Sequence, residues 1–244
     1  MPDLKKSLGF QYLQQTKLDR QSLVHMSRPR ISPAAQFKSY PEAESFKLPG
    51  PELAGQGLQK LLLSRRSRRK YRDAPLHLQE LAALLWAAQG ISGSMGRLML
   101  RTSPSAGALY PLETYLVLQN VPELPAGIFH LEQANFFLEL LQRGDFAAQA
   151  ARACLDQGFM AQAQVNVFWS GVLRRNMCKY GHRGLRYVLL DAGHVCQNLL
   201  LAAEDLGLAA CPVGAFFDQE LDSLFALDGE EESVIYAASL GRKA

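Results

Sequence analysis

The chain has 244 residues, of which 48% are apolar and 20% are charged, and its formal net charge is +3. This composition is typical of a folded globular protein and excludes an intrinsically disordered chain. The small net charge gives no overall field that would attract nucleic acid or an anionic membrane.

The cysteines and the N-terminus argue against a metal site and against export. Cys154, Cys178, Cys196 and Cys211 lie far apart and form no CxxC or CxH unit. The first residues, MPDLKKSLGFQYLQQT, lack the apolar segment and cleavage site of a signal peptide. No stretch reaches the roughly 18 apolar residues of a membrane span. We expect a cytoplasmic protein with no metal ion, membrane contact or nucleic-acid partner.

The N-terminal part differs in pattern from the rest of the chain. Residues 1–52 are polar and interrupted by prolines, which predicts an extended arm that packs on the body or on a partner subunit. Phe37, Tyr40 and Phe46 are its candidate anchors. Residues 53–244 form the predicted domain.

The first half of this domain predicts helices followed by a hairpin. Leu58, Leu61 and Leu62 have helical spacing, and residues 78–89 form an apolar stripe that ends at Gly90, a natural place for a helix to stop. Residues 92–102 contain glycine and serine and are expected to be a loop. Alternation predicts strands at 113–118 and 127–132, joined as a hairpin.

The second half predicts more helix than strand. Residues 136–163 are expected to be mostly helical, 165–172 a buried strand, and 187–206 the longest helix. Short strands are expected at 209–213 and 233–239. Together these elements indicate an α+β architecture. Glycine-rich dinucleotide and nucleotide-triphosphate loops are absent from the sequence, so any bound anion must be held by side chains.

A basic cluster follows the first helix of the domain. Six of the eight residues from 65 to 72 are basic. In Arg65-Arg66-Ser67-Arg68-Arg69 a hydroxyl stands among forked guanidinium groups, which match phosphate oxygens. For the cluster alone, a solvated surface loop is the commonest explanation. A nucleic-acid patch is also open, although such patches usually contain interleaved aromatic residues and only Tyr71 is nearby.

Three further segments are candidates for a site. PSAGALYP (104–111) and CPVGAF (211–216) leave backbone uncovered near Gly107 and Gly214, although most such turns bind only water. Lys179-Tyr180-Gly181, expected in a loop, offers two proton-transfer groups, or else a solvated lysine and a packed tyrosine. The stripe of Asp191, His194 and Asn198 is assigned to helix packing or a subunit contact, because no nucleophile completes a triad.

The segments together resemble the SagB-type dehydrogenases of the FMN-dependent nitroreductase superfamily, which include oxidases of azoline rings in peptides. The resemblance rests on five segments that occur in the expected chain order: RRSRRKY, LLWAAQGI, RTSPSAGALYPLETY, KYGHRGLRYVLLDAGHVCQNLLLAAEDLGL and CPVGAF. Two segments of the arm, FQYLQQTK and FKSYP, add to it.

This resemblance implies a nitroreductase-like α+β fold, with a central mixed or antiparallel sheet flanked by helices, in an intertwined homodimer that binds FMN at the subunit interface. Protein groups there would tune the flavin, whose N5 carries the hydride chemistry. The resemblance implies three sets of cofactor-binding residues. The phosphate and ribityl side would be held by Arg65, Arg66, Ser67, Arg69 and Arg242. The second subunit would contribute Pro104, Ser105, Ala106 and Gly107, and the flavin edge would face Val213, Gly214 and Ala215. Arg68 is expected to point away.

The resemblance also implies a reaction. Lys179 and Tyr180 would act as acid and base while an azoline-like ring is dehydrogenated. Ala108, Tyr110 and Gly214 depart from the ordinary nitroreductase pattern and favour the SagB branch. A peptide substrate would need a separate recognition partner. The alternatives are an NAD(P)H-dependent reductase of nitro compounds or quinones, and a non-catalytic module that binds phosphate or nucleic acid.

Overall fold

A seven-stranded sheet forms the centre of the computed structural model, which describes residues 4–15, 20, 56–96, 98–180 and 183–244. The strands of this sheet are β1 (Tyr71–Arg72), β4 (Leu112–Leu118), β5 (Gly127–Glu132), β6 (Phe137–Arg143), β7 (Val165–Val172), β8 (Leu208–Val213) and β9 (Glu232–Lys243). A separate two-stranded hairpin consists of β2 (Ile91–Met95) and β3 (Leu98–Arg101).

Helices flank the sheet on both faces. In the described ranges they are α1 (Leu8–Gln15), α2 (Gln56–Ser64), α3 (Leu78–Gln89), α4 (Ala147–Ala153), α5 (Gly158–Gln162), α6 (Leu173–Tyr180), α7 (Gly184–Asp205) and α8 (Asp218–Leu224), with 3-10 turns at Leu4–Lys6 and Ala106–Ala108. The predicted α+β class, with a central sheet flanked by helices, is confirmed.

The sheet is antiparallel throughout its named strands, in the order β1-β9-β7-β4-β5-β6, with β8 also paired to β9. Strand β9 is long enough to pair with β7 along its first part and with β8 and β1 near its end. The predicted hairpin is β4–β5, in which Leu116 pairs with Phe129. A parallel contact occurs as an isolated bridge between Ser67 and Ala210.

Alternation along the strands divides the core into two halves. In β7, Val167 and Trp169 face the core half that includes α3 and α7, whereas Phe168 faces the half that includes α4, α5 and α8. This two-sided burial follows from the period of two in a strand. It explains why β4 and β7 are almost wholly buried and why their sequences are so apolar.

Helix α7 is the longest helix and lies across the first core half. Val188, Val195 and Leu199 repeat at helical spacing and are buried against the sheet. The helix begins at Gly184, three residues before the predicted start, and ends at Asp205. Its length lets a single rigid element touch several parts of the chain that are distant in sequence.

Three predictions of local structure are wrong. Residues 137–143 form strand β6 rather than helix, because pairing with β5 at the sheet edge outweighs the helix propensity of their leucines and glutamate. Residues 91–101 form the β2–β3 hairpin around Gly96, whose φ is +61°. Lys179 and Tyr180 lie in the last turn of α6, not in a loop.

Gly90 ends α3 as predicted, but for a different reason. Its φ of −59° is accessible to any residue, so it is no left-handed cap. A Cβ on Gly90 would instead overlap the Trp86 indole ring. Glycine is required here by space and not by conformation.

The N-terminal residues that the structure describes are helical rather than extended at 8–15. Phe10 and Leu13 of α1 pack on Leu173, Met177 and Leu185 of α6 and α7. The predicted anchors at positions 37, 40 and 46 lie outside the described residues.

Candidate functional site

The arginine cluster runs beside strand β8, directly after helix α2. The Arg68 amide donates to Ala210 O at 2.9 Å, and Ser67 forms its bridge to the same residue. These contacts fix the backbone of the cluster against the sheet. The side chains of Arg66, Ser67 and Arg69 are exposed, and Arg65 is half-buried.

The arginines of this region differ in their partners. Within the described ranges, no carboxylate lies within 4 Å of Arg65, Arg66 or Arg69. Arg66 donates to Leu63 O and Arg65 O at the end of α2, where helix carbonyls lack intrahelical partners. Arg68 points elsewhere, with its Nε 4.0 Å from Glu204 Oε2. The cluster therefore retains cationic groups that have no observed counter-charge and suit a phosphate.

Arg242, the fifth predicted phosphate contact, is engaged elsewhere. Its Nη1 and Nη2 donate to the two carboxylate oxygens of Glu80 at 2.7 Å each, and its Nε donates to Pro75 O at 2.8 Å. Alternation along β9 places Arg242 on the same face as Leu240, toward α3. The structure thus gives this arginine a packing role between β9 and the start of α3.

The end of β8 adds uncovered backbone beside the cluster. Val213 is buried, whereas Gly214 and Ala215 are exposed. Gly214 faces the ring of Tyr236, because a Cβ on the glycine would lie 3.6 Å from it. Gly214 thus leaves a flat, open approach over an aromatic ring, which suits a planar ligand.

Two cysteines lie beneath this surface and are not nucleophiles. Cys196 of α7 is hydrogen-bonded to Tyr236, and burial raises the pKa of its thiol to about 12. Burial also raises the pKa of Cys211, although a hydrogen bond with Arg69 opposes the shift. Both thiols are therefore neutral at physiological pH, and no thiolate chemistry is expected here.

The segment 104–107 forms a second cluster with α7. Ser105 Oγ and the Ala106 amide lie beside the carboxylate of Asp191, which is buried. Burial raises the pKa of this carboxyl, and the two donors oppose that shift. Ser105 Oγ also accepts from the Tyr110 amide at 2.9 Å, so Asp191 organises the whole turn.

The backbone of this turn is strained. Gly107 has φ +65°, and the non-glycine residues Ala108 and Tyr110 have φ +53° and +44°. Such angles cost about 1 kcal/mol or more for residues with a Cβ and concentrate at functional sites. The surrounding contacts to Asp191 and Arg175 hold the strained shape.

Lys179 and Tyr180 converge on this second cluster. A Cβ on Gly107 would lie 2.5 Å from Tyr180 Oη and 2.8 Å from Lys179 Nζ. The Tyr180 ring packs edge-on against Tyr187, and Lys179 Nζ lies 5.3 Å from the centroid of the Tyr180 ring. The two predicted proton-transfer groups therefore stand directly over the predicted cofactor-binding turn.

The two clusters occupy different stretches of α7. The turn at 104–107 is fixed to Asp191, whereas Arg68 reaches Glu204, about 20 Å further along the helix axis at 1.5 Å per residue. The predicted site residues are thus assembled into two groups and not into one. Helix α7 is the shared support that sets their spacing.

Sequence reasoning missed a polar cavity beside the second cluster. It has a volume of about 450 Å³ and lies between hairpin β2–β3, the turn at 108–110, and the ends of β4 and β5. In its wall, Glu113 contacts Arg175 at 2.5 Å and His130 at 3.1 Å. The residues of the wall are up to 84 positions apart, from Ile91 to Arg175, so no local sequence pattern marks the cavity. The only signal for it in the sequence was the alternating polar residues of β4 and β5.

Charges in this wall reinforce one another. Burial acts to raise the pKa of Glu113, but a hydrogen bond with His130 and the charge of Arg175 outweigh it and lower the pKa. The hydrogen bond to Glu113 raises the pKa of His130, with a smaller contribution from Glu139. The three groups form a partly buried ion network.

The part of the chain that the structure describes contains no cluster of three or more metal-ligating side chains. It also contains no helix whose length and apolar character would suit a membrane span.

Comparison with known proteins identifies relatives along most of the chain. The model of the nitroreductase family matches residues 62–242. A putative nitroreductase of Methanocaldococcus jannaschii is 33% identical over 201 residues, which cover 82% of this chain and 98% of that protein. The microcin B17-processing protein McbC of Escherichia coli is 28% identical over 119 residues, covering 44% of this chain and 42% of McbC.

Solved structures show the same fold. A putative nitroreductase from Ralstonia eutropha superposes with a TM-score of 0.66 at 27% identity, covering 81% of this chain and 88% of that one. A chain of the Escherichia coli microcin synthetase McbBCD complex with bound truncated pro-MccB17 superposes with a TM-score of 0.65 at 20% identity. The match covers 98% of this chain and 88% of that one. The NADPH:FMN oxidoreductase from Vibrio harveyi superposes with a TM-score of 0.55 at 17% identity. The match covers 77% of this chain and 69% of that one.

These matches agree with the layering, the sheet order and the position of the arginine cluster inside the matched range. They leave no support for a non-catalytic binding module. The chain therefore belongs to the nitroreductase family and is an oxidoreductase.

Proposed function

We propose that the protein is a SagB-type dehydrogenase that oxidises an azoline-like ring in a peptide. The observation that supports this most directly is the convergence of Lys179 and Tyr180 on Gly107. A reaction that removes hydrogen from carbon needs a proton acceptor beside the cofactor, and this pair provides two candidate groups. The similarity to McbC, a microcin B17-processing protein, supports a peptide substrate.

The residues present fit FMN. Arg65, Arg66 and Arg69 have no observed carboxylate partner, and the exposed Ser67 hydroxyl stands among them. Forked guanidinium groups and a hydroxyl donor match a phosphate monoester. Val213, Gly214 and Ala215 would present backbone to the flavin edge. We omit Arg242 from the proposed set, because its guanidinium is bound to Glu80 and Pro75.

We also propose that the site is completed by a second copy of the chain in a homodimer. The arginine cluster and the turn from Pro104 to Gly107 lie along different stretches of α7, so the second copy would place its own turn opposite the arginines. Exposed apolar side chains on α3 and α7 support such an interface, among them Trp86, Leu189 and Leu190.

In the proposed reaction the azoline loses two hydrogens and becomes aromatic. Bound FMN supplies the acceptor for the hydride. The second hydrogen leaves the neighbouring ring carbon as a proton, and its acceptor is either Tyr180 Oη as a phenolate or Lys179 Nζ as a neutral amine. The proton then passes to solvent through the exposed lysine. Asp191 acts through the turn, since its contacts with Ser105 and Ala106 hold Gly107 against the two side chains.

The deciding experiment is single-turnover oxidation of a thiazoline-containing peptide by the FMN-loaded protein, followed by flavin absorbance. Lys179→Ala and Tyr180→Phe are expected to bind FMN normally and to slow turnover about 100-fold or more. Lys60→Ala, which changes an exposed lysine on α2, is the matched control. If both variants reduce flavin at the parental rate, the assigned role is wrong.

A second candidate is an NAD(P)H-dependent reductase of nitro compounds or quinones. It is favoured by the match to the putative nitroreductase of Methanocaldococcus jannaschii, which extends over 98% of that protein. Rapid NADPH-dependent reduction of a nitroaromatic or a quinone, with no flavin reduction by the thiazoline peptide, would select this candidate over the first.

A further inference from the structure

The cavity of about 450 Å³ beside the second cluster has no role in the reaction described so far. Its walls come from five separate parts of the chain: hairpin β2–β3, the turn at 108–110, β4, the end of β5 with the following turn, and α6. We call it the hairpin cavity. It is open to solvent on one side and is large enough for a short stretch of peptide.

Arg101 in this wall has an unused hydrogen-bond donor. Its Nη1 is excluded from solvent and has no hydrogen-bond partner, while its guanidinium lies 4.7 Å from the centre of the Tyr110 ring. Glu113 is the carboxylate that interacts with it, and this carboxylate is held by Arg175 and His130. A buried donor without an acceptor is unfavourable, so a ligand that supplies an acceptor is stabilised here.

Gln133 in the same wall has an unused acceptor. Its Nε2 donates to Gln89 Oε1 at 3.2 Å, and Gln89 Nε2 donates in turn to Leu112 O at 3.5 Å. Thr114 also donates to Gln89 Oε1, so the orientation of both amides is fixed by the chain of bonds. Gln133 Oε1 is left without a partner.

These two groups are complementary to a peptide unit. A peptide unit offers one carbonyl acceptor and one N–H donor, which match Arg101 and Gln133 respectively. The lining has little net charge, because Glu113 and Glu132 balance Arg101 and Arg175. His130, the remaining cationic group of the lining, is also paired with Glu139 at the edge of the cavity. A neutral backbone therefore suits the hairpin cavity better than a charged ligand.

The hairpin cavity lies one helical turn from the proposed proton-transfer groups. Arg175 and Lys179 are four residues apart on α6, so they project from the same face about 6 Å apart. Arg175 Nη1 donates to Tyr110 O at 3.3 Å, whereas Lys179 stands at Gly107. Two residues of extended peptide span about 7 Å and bridge this separation.

We propose that the hairpin cavity is a subsite for the peptide backbone that flanks the reacting ring. Arg101 Nη1 and Gln133 Oε1 are covered in the unliganded protein. Binding shifts the side chains that cover them, so that Arg101 donates to a backbone carbonyl of the substrate and Gln133 accepts from a backbone N–H. The inference rests on the proposed function, because it assumes a peptide whose ring lies at Lys179 and Tyr180. It assigns substrate selection to residues that do not take part in the chemistry.

The test is calorimetric titration of the FMN-loaded protein with an uncharged hexapeptide that contains a central thiazole, the unreactive product ring. Arg101→Met and Gln133→Leu are each expected to weaken binding about tenfold. Arg174→Met and Gln142→Leu, which change exposed residues of the same types outside the cavity, are expected to stay within twofold. Bound FMN and thermal unfolding report whether each variant is folded.

A second probe needs no variant of the cavity. The same peptide with its flanking amides N-methylated lacks the donor for Gln133 and is expected to bind the parent protein about tenfold more weakly. Equal binding of both peptides, unchanged binding by both cavity variants, or no binding by the parent protein would overturn the subsite.

The two proposals can fail separately. If the parent oxidises the thiazoline peptide but the cavity variants leave its binding unchanged, the subsite is wrong and the function stands. If the thiazole peptide binds through Arg101 and Gln133 but its thiazoline form is not oxidised, the subsite stands and the function is wrong.

Discussion

Tyr180 and Gly107 lie so close that a methyl group on Gly107 would stand 2.5 Å from Tyr180 Oη. Four strands, β4 to β7, and the helices α4 and α5 separate them in the sequence, and α6 brings them together. Because Tyr180 and Lys179 fill the space where a side chain at position 107 would lie, the turn and the proposed proton-transfer groups are packed directly against each other.

Gly107→Ala is therefore expected to impair catalysis. The new methyl group would displace Tyr180 and Lys179, and the φ of +65° adds about 1 kcal/mol of strain. We expect turnover of the thiazoline peptide to fall at least tenfold in stopped-flow assays. Gly158→Ala, on α5 with open space around it, is the control. Parental turnover in Gly107→Ala would contradict the arrangement.

The arginine cluster is expected to control cofactor affinity. Arg66→Gln and Arg69→Gln each remove a guanidinium without an observed carboxylate partner, and loss of one charged hydrogen bond of about 1.5 kcal/mol weakens FMN binding about tenfold. Equilibrium dialysis or flavin fluorescence gives the dissociation constants. Arg68→Gln, whose parent side chain points to Glu204, should change FMN affinity less than twofold. If Arg68→Gln has the largest effect, the phosphate assignment is wrong.

Arg242 is expected to affect stability and not cofactor affinity. Arg242→Met breaks the bidentate pair with Glu80, in which both side chains are about four-fifths buried. The carboxylate then keeps its hydrogen bond from the His77 amide but loses its cationic partner. We expect the free energy of unfolding in urea to fall by about 2 kcal/mol. The FMN affinity of the folded protein should remain that of the parent. A double variant with Glu80→Gln should lose less than the sum of the single changes.

The His130 network is expected to make stability depend on pH. The hydrogen bond to Glu113 raises the pKa of His130 above its ordinary value of 6.5. The contribution of protonated His130 to the free energy of unfolding is therefore fully present below pH 6.5 and is lost as the pH rises through the raised pKa. The stability difference between the parent and His130→Gln, on the order of 1 kcal/mol, should be larger at pH 6 than at pH 8.5. Urea unfolding at both values measures it. A difference that grows with pH would contradict the network.

The sequence predicted elements well where local periodicity and burial agree. Helix α3 at 78–89 and strand β7 at 165–172 have the predicted bounds, because an apolar stripe and a β-branched run are local signals. Strand β6 was predicted as helix, since its leucines and glutamate favour helix and only its pairing with β5 makes it a strand. Edge strands have weak local signals of this kind.

The candidate site divides in the same way. The sequence pointed to Arg66, Ser67 and Arg69, to the turn at Gly107, and to Lys179 with Tyr180, by their residue types and chain order. The sequence also grouped Arg242 with the phosphate contacts. The structure shows instead that the alternation of β9 turns this side chain toward α3, where it binds Glu80. Arg101 and Gln133 gave no signal, because an unused donor or acceptor is a property of packing.

By itself the sequence determined the α+β class, the helices and strands with strong periodicity, and the residue types needed for phosphate binding and proton transfer. Only the tertiary structure decided which arginines are free of carboxylates, and that Lys179 and Tyr180 stand over Gly107. The physical reason is that a charge or hydrogen-bonding group is defined by its neighbours. Those neighbours come from segments that α7 and the sheet bring together across the whole chain.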